Sequence, residues 1–400
     1  MTKLEQLIEE LCPNGVEYRT LNTICNVYDG THQTPQYTDS GIKFASVENI
    51  ADPYATEKYI SVSDYEKYKI KPQRNDLLMT RIGSIGVCTV IESDEPLAYY
   101  VSLALLRPDN SILNSRYLKY AIESLHCRKE LRKRTLVNAV PIKINMGDIG
   151  KITLPVPPLP VQSEIVRILD NFTELTTELT TELTARKKQY EFYRDKLLST
   201  NNSSVPVVEL RDIVKKSCSG ATPAKGNAEY YENGTIPWIR TQDVRFNEIT
   251  EVNSYITEKA VSETATKWIP ENCVIIAISG ATAGRCAINK IKATTNQHCL
   301  NLIIDDSMAL YRYVFHCLCS KYEELISRKQ GARGDLNSSL ILSLPIPIPS
   351  LEVQKRLVEV LDNFDAICTN LSSGLPAEIE ARQKQYEYYR DKLLSFEEKI

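Results

Sequence analysis

The side chains best suited to metal or nucleophilic chemistry in this 400-residue sequence are four histidines and eleven cysteines, and the nearest thing to a cluster of them is His316-Cys317-x-Cys319. That run lies within the apolar stretch LYRYVFHCLCSKY, which reads as a helix, and on a helix positions 317 and 319 point away from each other. An odd cysteine count without a CxxC spacing argues against a disulfide framework and against a paired zinc site, so buried, reduced thiols are expected. Other chemistries fare no better. Asp52-Pro53-Tyr54 lacks the second proline of an amino-methyltransferase motif, no GxxxxGK[ST] loop is present, and the only Glu-x-Lys is Glu397-Glu398-Lys399 at the chain end. The sequence carries no recognisable catalytic machinery and no metal site.

Binding chemistry remains. From Arg116 to Lys151 nine Lys or Arg stand against three Asp or Glu, with Arg128-Lys129 and Arg132-Lys133-Arg134 closely packed. Such a patch suits phosphate contact, and it equally suits a solvated helix face. The net charge of −3 means that any phosphate contact rests on local charge and not on the sum. Hydrophobic content of 42% and charged content of 25% place the chain among ordinary globular proteins, and its length implies two or three domains. The N-terminal MTKLEQLIEEL has no apolar signal core, and no run approaches the ~18 apolar residues of a membrane span, so a cytoplasmic location is expected.

The elements that must position any binding residues are organised by an internal repeat. ARKKQYEFYRDKLLS at 185–199 returns as ARQKQYEYYRDKLLS at 381–395, with thirteen of fifteen positions identical. Upstream, PVPPLPVQSEIVRILDNF at 155–172 pairs with PIPSLEVQKRLVEVLDNF at 347–364. Prolines hold each lead-in extended, Pro160 suits a first helical turn and Ser350 an N-cap. Ile165, Ile168, Phe172, Leu175 and Leu179 then recur at spacings of three and four, as do Leu357, Val360, Phe364, Ile367 and Leu371. Both sets read as coiled-coil seams on helices of about 40 residues, ~55 Å at 1.5 Å per residue, which is longer than a small domain is wide. Ser372-Ser373-Gly374-Leu375-Pro376 predicts a kink in the second helix.

The segments before the helices match more loosely. TPQYTDSGIKFASVENI parallels TPAKGNAEYYENGTIPWIRTQDV, and NDLLMTRIGSIG at 75–86 parallels ENCVIIAISGATAG at 271–284, both apolar strands entering a glycine-bearing turn. Gly83, Gly86, Gly280 and Gly284 are read as turn formers and not as a phosphate cradle. A helical segment near 115–134 and another near 309–330 close each half. The fold class is therefore α+β: two mixed domains, 1–154 and 201–346, separated by two related helices, 155–200 and 347–400.

On the two QYE(F/Y)YRDKLLS helix ends, the two proline-to-LDNF lead-ins, the IPWIRTQDV segment at 236–244 and the Thr-Glu-Leu-Thr quartets at 173–184, the chain resembles the specificity subunits of type I restriction-modification enzymes, most of all the type IC branch. The resemblance covers essentially the whole chain. It implies two target-recognition domains, each reading half of a split DNA site, and an antiparallel coil of helices that spaces them. It also implies two modification subunits that methylate adenine and restriction subunits that cleave. S-adenosylmethionine, ATP and magnesium are expected on those partners, and the chain itself is expected to be non-catalytic.

Since base edges are best read by Arg, Lys, Asn and Gln, with Ser and Thr on phosphates, the candidate DNA-binding residues are His32, Gln33, Lys43, Arg74, Arg81 and Ser84 in the first domain. In the second they are Arg240, Gln242, Arg245, Thr282, Arg285 and Arg333. Tyr190, Tyr193, Tyr386 and Tyr389 are candidates for docking the modification subunits, with packing inside the coil as the alternative. The three quartets at 173–176, 177–180 and 181–184 are an adjustable length of helix. A rival reading makes the chain a structural adaptor joining two protein-binding domains.

Overall fold

The computed structural model describes residues 2–199, 204–328, 335–370 and 373–399. The chain forms two compact units, Met1–Thr180 with Glu378–Ile400, and Thr181–Ala377, so the division falls inside both long helices.

Each unit is built around one buried antiparallel sheet whose central strands are largely apolar on both faces. In the first unit the order is Cys25–Asp29, Leu103–Pro108, Leu77–Thr80, Cys88–Val90. In the second it is Val214–Ser219, Cys299–Ile304, Val274–Ala277, Cys286–Asn289, with Asn247–Ile249 added in parallel at the edge. Side chains alternate across a strand. Leu77 and Met79 therefore enter the core shared with the helices, while Leu78 enters the core beneath a second sheet. Val274 and Ile276 divide from Ile275 and Ala277 in the same way. The second sheets also correspond: Tyr37–Thr38, Tyr59–Ile60, Ile42–Ala45, Leu97–Tyr99 in one unit, and Tyr255–Ile256, Ile236–Ile239, Ala293–Thr295, Trp268–Ile269 in the other. In both, the strand bearing the Ile-x-aromatic segment runs parallel to its neighbour.

The expected helical segments each divide in two. Ser115–Glu123 gives way to Leu125–Arg134 at Ser124, whose hydroxyl caps the second piece, and Tyr311–Ser320 is followed by Tyr322–Ser327. The helix bearing His316 is buried on all sides from Tyr313 to Cys319, so Cys317 and Cys319 can face apart and still both be buried. All eleven cysteines are free thiols and all but Cys218 are buried; burial pushes the Cys317 thiol up to about 12.

The first long helix, Leu159–Leu197, runs 39 residues without interruption. The second is broken into Leu351–Thr369 and Leu375–Leu393 at the predicted place. At the break a Cβ on Gly374 would stand 2.7 Å from the Ala366 carbonyl oxygen, which only glycine avoids.

Two buried glutamines fix the helix starts. Gln162 donates through Nε2 to the carbonyls of Ile112 (2.8 Å) and Pro157 (2.7 Å) and accepts from the Asn114 N–H at 2.8 Å. Gln354 repeats this with Met308, Pro349 and Leu310. Three backbone groups that would otherwise be orphaned are satisfied by one carboxamide.

The helices pack as the repeat requires, with roles exchanged. In the first unit Phe172 stacks on Tyr389, centroids 5.5 Å apart. Ile168 shares a groove with Leu393, so the two runs there are antiparallel. In the second unit Phe364 meets Tyr193 at 6.4 Å. Ile165 is fully buried, Ile168, Phe172, Leu179 and Leu357 are half-buried, and Leu371 lies outside the described residues. The seam read on the second helix needs correction: Val360 and Ile367 are 48% and 47% exposed, while Val358, Leu361 and Cys368 are buried. Gln354 sets the rotation of this helix, and Val360, two residues past Val358, is carried ~200° round the axis. Leu175, at 36%, is also exposed.

The N-terminal end is closed by the C-terminal one. Val16 N–H donates to Glu397 O at 2.8 Å, Lys399 N–H to Val16 O at 3.0 Å, and Tyr18 Oη to Phe396 O. Gly15, at φ +87°, lies where a Cβ would meet Glu397 O at 2.6 Å.

Replacing either glutamine by leucine, Gln162→Leu or Gln354→Leu, leaves one N–H and two carbonyls unpaired in the interior. We expect each to lose about 2–4 kcal/mol of stability in urea denaturation, from the cost of unsatisfied buried groups. A loss below about 0.5 kcal/mol would mean that the lead-in is held by its prolines alone.

Candidate nucleic-acid interface

In both units the loops leaving the central strands meet at one end of the sheets and are wired by the same backbone hydrogen bonds. Tyr100 N–H donates to Ala45 O, Thr31 N–H to Tyr99 O, Arg81 N–H to Ser102 O and Ile144 N–H to Arg81 O. The counterparts are Asn296 to Ile239, Ala221 to Thr295, Ile278 to His298 and Leu336 to Ile278. The glycine turns correspond as well. Gly83 and Gly86 have φ of 86° and 82°, and Gly280 and Gly284 have 74° and 92°, left-handed values that shape the turn as read from the sequence.

Most sequence candidates gather at this end, in different roles. Arg81 is 7% exposed. It bonds Asp29 at 2.5 Å and donates to the carbonyls of Val101 and Ile144. Its guanidinium is a strut beneath the loops and not a base reader, and its counterpart in the second unit is the apolar Ile278. His32 is exposed and turned onto Asp29 at 2.9 Å. Gln33, Ser84, Gln242, Thr282 and Arg285 keep side-chain donors or acceptors unengaged among the described residues. Arg245 spends its Nε on Gln242 O. Two candidates lie away from this end. Arg74 precedes the strand that Arg81 follows and is paired with Asp94 at 2.7 Å, and Lys43 sits within its strand with its ammonium over the Tyr54 ring. Arg333 falls outside the described residues.

Arg240 has the most telling surroundings. Its guanidinium carbon lies 5.8 Å from the centre of the Trp238 ring, and Trp238 is anchored through Nε1 to Ala221 O. Its Nε is buried without a partner among the described residues, as is Ser46 Oγ at the corresponding position of the first unit. A planar cation held against an indole, with donor capacity unspent, suits bidentate recognition of a base edge. Gln297 and His298, bonded to each other at 3.2 Å in the turn Asn296–His298, were not singled out from the sequence. The amide-rich NQH between two strands was the available signal.

Of the basic stretch, Arg116 pairs with Glu92 and Asp170, Lys133 and Arg134 with Glu130, and Lys151 with Asp148. Lys129, Arg132 and Lys143 have no carboxylate partner among the described residues. Arg116 belongs to a repeated junction. Asp170 accepts from Arg116 and from Tyr120 Oη, while Asp362 accepts from Arg312 and from His316 Nε2 at 2.7 Å.

All four docking tyrosines have contacts inside their own unit, Tyr193 with Phe364. Tyr386 packs on Tyr120, Tyr389 on Phe172, and Tyr190 lies against His316 Nδ1. Burial raises the Tyr386 hydroxyl to about 12. Tyr193 is partly exposed. The most exposed aromatics of the repeat are Phe192 and Tyr388, each 62% exposed and each beside a lysine, Lys196 or Lys392.

No group of three metal-ligating side chains occurs among the described residues, and no helix there is long and apolar enough to cross a membrane.

The family described as "Type I restriction modification DNA specificity domain" matches residues 13–187 and 202–381. A type I restriction enzyme specificity subunit of Escherichia coli is 42% identical over 257 residues, which span 62% of this chain and 63% of that one. A putative type I restriction enzyme specificity subunit of Haemophilus influenzae is 30% identical over 300 residues, 71% of this chain and 73% of its own. Among solved structures, a chain from a type I restriction-modification assembly superposes with a TM-score of 0.69 at 13% identity, covering 96% of this chain and 98% of that one. The specificity subunit of M. genitalium gives 0.54 at 14%, covering 95% and 96%. At these identities the superpositions speak for the fold.

Arg81 and Arg240 should separate in substitution. Arg81→Ala strands Asp29 beneath the loops and is expected to cost about 2 kcal/mol, less than a fully buried pair because Asp29 is partly exposed. Arg240→Ala is expected to change stability by less than about 1 kcal/mol. It should weaken duplex binding about tenfold or more, the worth of one good base contact. Thermal melts and duplex titrations of the two variants would show it.

Proposed function

The chain belongs to the type I restriction modification DNA specificity family, and from that premise we propose that it is the non-catalytic subunit that selects the DNA site of a methylating and cleaving complex. Each unit reads one half of a bipartite site. The observation that carries this reading is the loop end described above: four backbone hydrogen bonds are repeated in both units, while the side chains they present differ, as Ser46 against Arg240. One frame bearing two sets of readers suits two unlike half-sites. The chemistry resides on partners: two modification subunits using S-adenosylmethionine and restriction subunits using ATP and magnesium.

The test is methylome sequencing of the host, where this reading expects a two-part motif with adenine modified on each strand, lost when the gene is deleted. Purified complex should prefer duplexes bearing that motif over bulk DNA by 10³-fold or more, with affinity falling steeply as salt rises. A sequence-indifferent, salt-insensitive response would favour the adaptor reading.

The quartets set the distance between half-sites in this proposal. Their threonines return hydroxyl hydrogen bonds to carbonyls four residues back, Thr173 to Leu169, Thr176 to Phe172, Thr177 to Thr173 and Thr180 to Thr176, so the segment is satisfied largely on its own helix. Deleting one quartet removes ~6 Å and ~40° beyond a full turn. A base-pair step is ~3.4 Å and ~35°. Because a reader must face its groove, rotation governs, and the deletion is expected to shorten the unread spacer by one base pair without altering either half-site. An unchanged spacer would remove the helix from this role.

Docking of the modification subunits is assigned to the exposed aromatic at each repeat end, Phe192 in the second unit and Tyr388 in the first. Phe192→Ala with Tyr388→Ala is expected to abolish co-purification with the methyltransferase subunit while circular dichroism stays native; retained co-purification places docking elsewhere.

A further inference from the structure

Next to the loops of the first unit projects a short hairpin with an apolar tip. Leu136, Val137, Val140 and Ile142 are 44%, 63%, 100% and 36% exposed, and Pro141 between them is exposed as well. Four aliphatic side chains facing water within seven residues have no folding purpose, and a patch of that kind marks a contact surface. The hairpin is held firmly. Leu136 N–H donates to Lys143 O at 2.7 Å and Ala139 N–H to Leu136 O at 3.2 Å. Its far strand is sewn to the glycine turn by Gly83 N–H to Ile142 O at 2.9 Å and by the Ile82–Lys143 bridge. The tip is therefore presented by the same turn that carries Ser84.

We propose that this hairpin is a wedge: Val137, Val140 and Pro141 enter the minor groove of duplex DNA beside the first half-site and partly unstack one base step. The proposal rests on the DNA-reading function assigned above. Two observations select nucleic acid as the occupant. The hairpin is continuous with the reading loops, and of the cations on it and on the helix Leu125–Arg134 that leads into it, Lys129, Arg132 and Lys143 pair with no carboxylate among the described residues, whereas Glu130 is already shared by Lys133 and Arg134. Free cations flanking an apolar tip complement phosphates on either side of a groove. The minor groove is favoured because its donor and acceptor pattern is sparse. Aliphatic side chains laid on the major-groove edges would leave more base groups unpaired, while an aliphatic or proline wedge at an opened step gains contact area.

The wedge is one-sided. At the corresponding place the second half of the sequence reads Lys329-Gln330-Gly331-Ala332-Arg333-Gly334, with no branched aliphatic residue. Distortion is thus expected at the half-site of the first unit alone.

The test uses the full-length chain with its methyltransferase subunits and a duplex carrying the motif found in the host, with 2-aminopurine placed in turn at each step in and beside the first half-site. Wild-type complex is expected to raise the fluorescence at one step there. Val137→Ser with Val140→Ser should melt at the wild-type temperature, lose the fluorescence rise and bind the duplex about tenfold more weakly, while Val140→Leu retains both. No rise at any step, or unchanged affinity of the double-serine variant, overturns the wedge and leaves the site-reading function standing. Loss of methyltransferase co-purification in that variant with DNA binding unchanged overturns it in favour of a protein-docking surface. A wild-type complex with no preference for the motif overturns the underlying reading.

Discussion

A single carboxamide, used twice, is the constraint on which the rest of this molecule depends. Gln162 and Gln354 sit at the first turn of the two repeated helices and satisfy backbone groups of both the proline lead-in and the loop that starts the adjoining helix. Because the amide must meet three partners at once, it fixes where each long helix begins, its rotation and its height against the sheet. The packing of Val358 and Leu361 follows from that, and so do the arginine–aspartate junctions at Asp170 and Asp362. An apolar residue of the same volume would fill the space and specify none of it.

Around this fixed frame the two units have been free to diverge where the frame does not reach. At the repeated junction a tyrosine in one unit, Tyr120, and a histidine in the other, His316, do the same service of donating to a helix aspartate. In the loops, backbone hydrogen bonds keep the strand ends in register, so side chains can change without moving the turn. A scaffold that holds its loops by main-chain bonds tolerates changed side chains, which is how one fold accommodates two different loop surfaces.

What was legible in the sequence was whatever repeated or punctuated it. The proline lead-ins, the Gly374 break and the four glycine turns correspond to backbone conformations that few residues can adopt, the helix ends were marked by their near identity, and each was found where expected. Burial of individual polar residues was not legible. Arg81 and Ser84 stand three positions apart in the same turn, yet one is a strut and the other faces out, because only the fold brings Asp29 beneath the first. The tyrosines of the repeat left two readings open for a related reason: an aromatic on a long helix suits an interface or the coil interior alike until the opposing helix is known, as Phe172 stacks on Tyr389. Val360 and Ile367 fit a heptad, but the rotation imposed by Gln354 favours their neighbours.

The division of the chain also sets an order on its synthesis. The second unit, Thr181–Ala377, is one continuous stretch, whereas the first requires Glu378–Ile400 to finish its core and to close the edge at Val16. Domains emerging from a ribosome ordinarily fold from the N-terminus onward. Here the first unit to be translated is the last to be completed, with an exposed apolar face on Leu159–Thr180 until the final turns arrive. A nascent chain therefore passes through a state with one finished half and one open core: a product truncated just inside the last helix stays in that state, marked for chaperones and proteases.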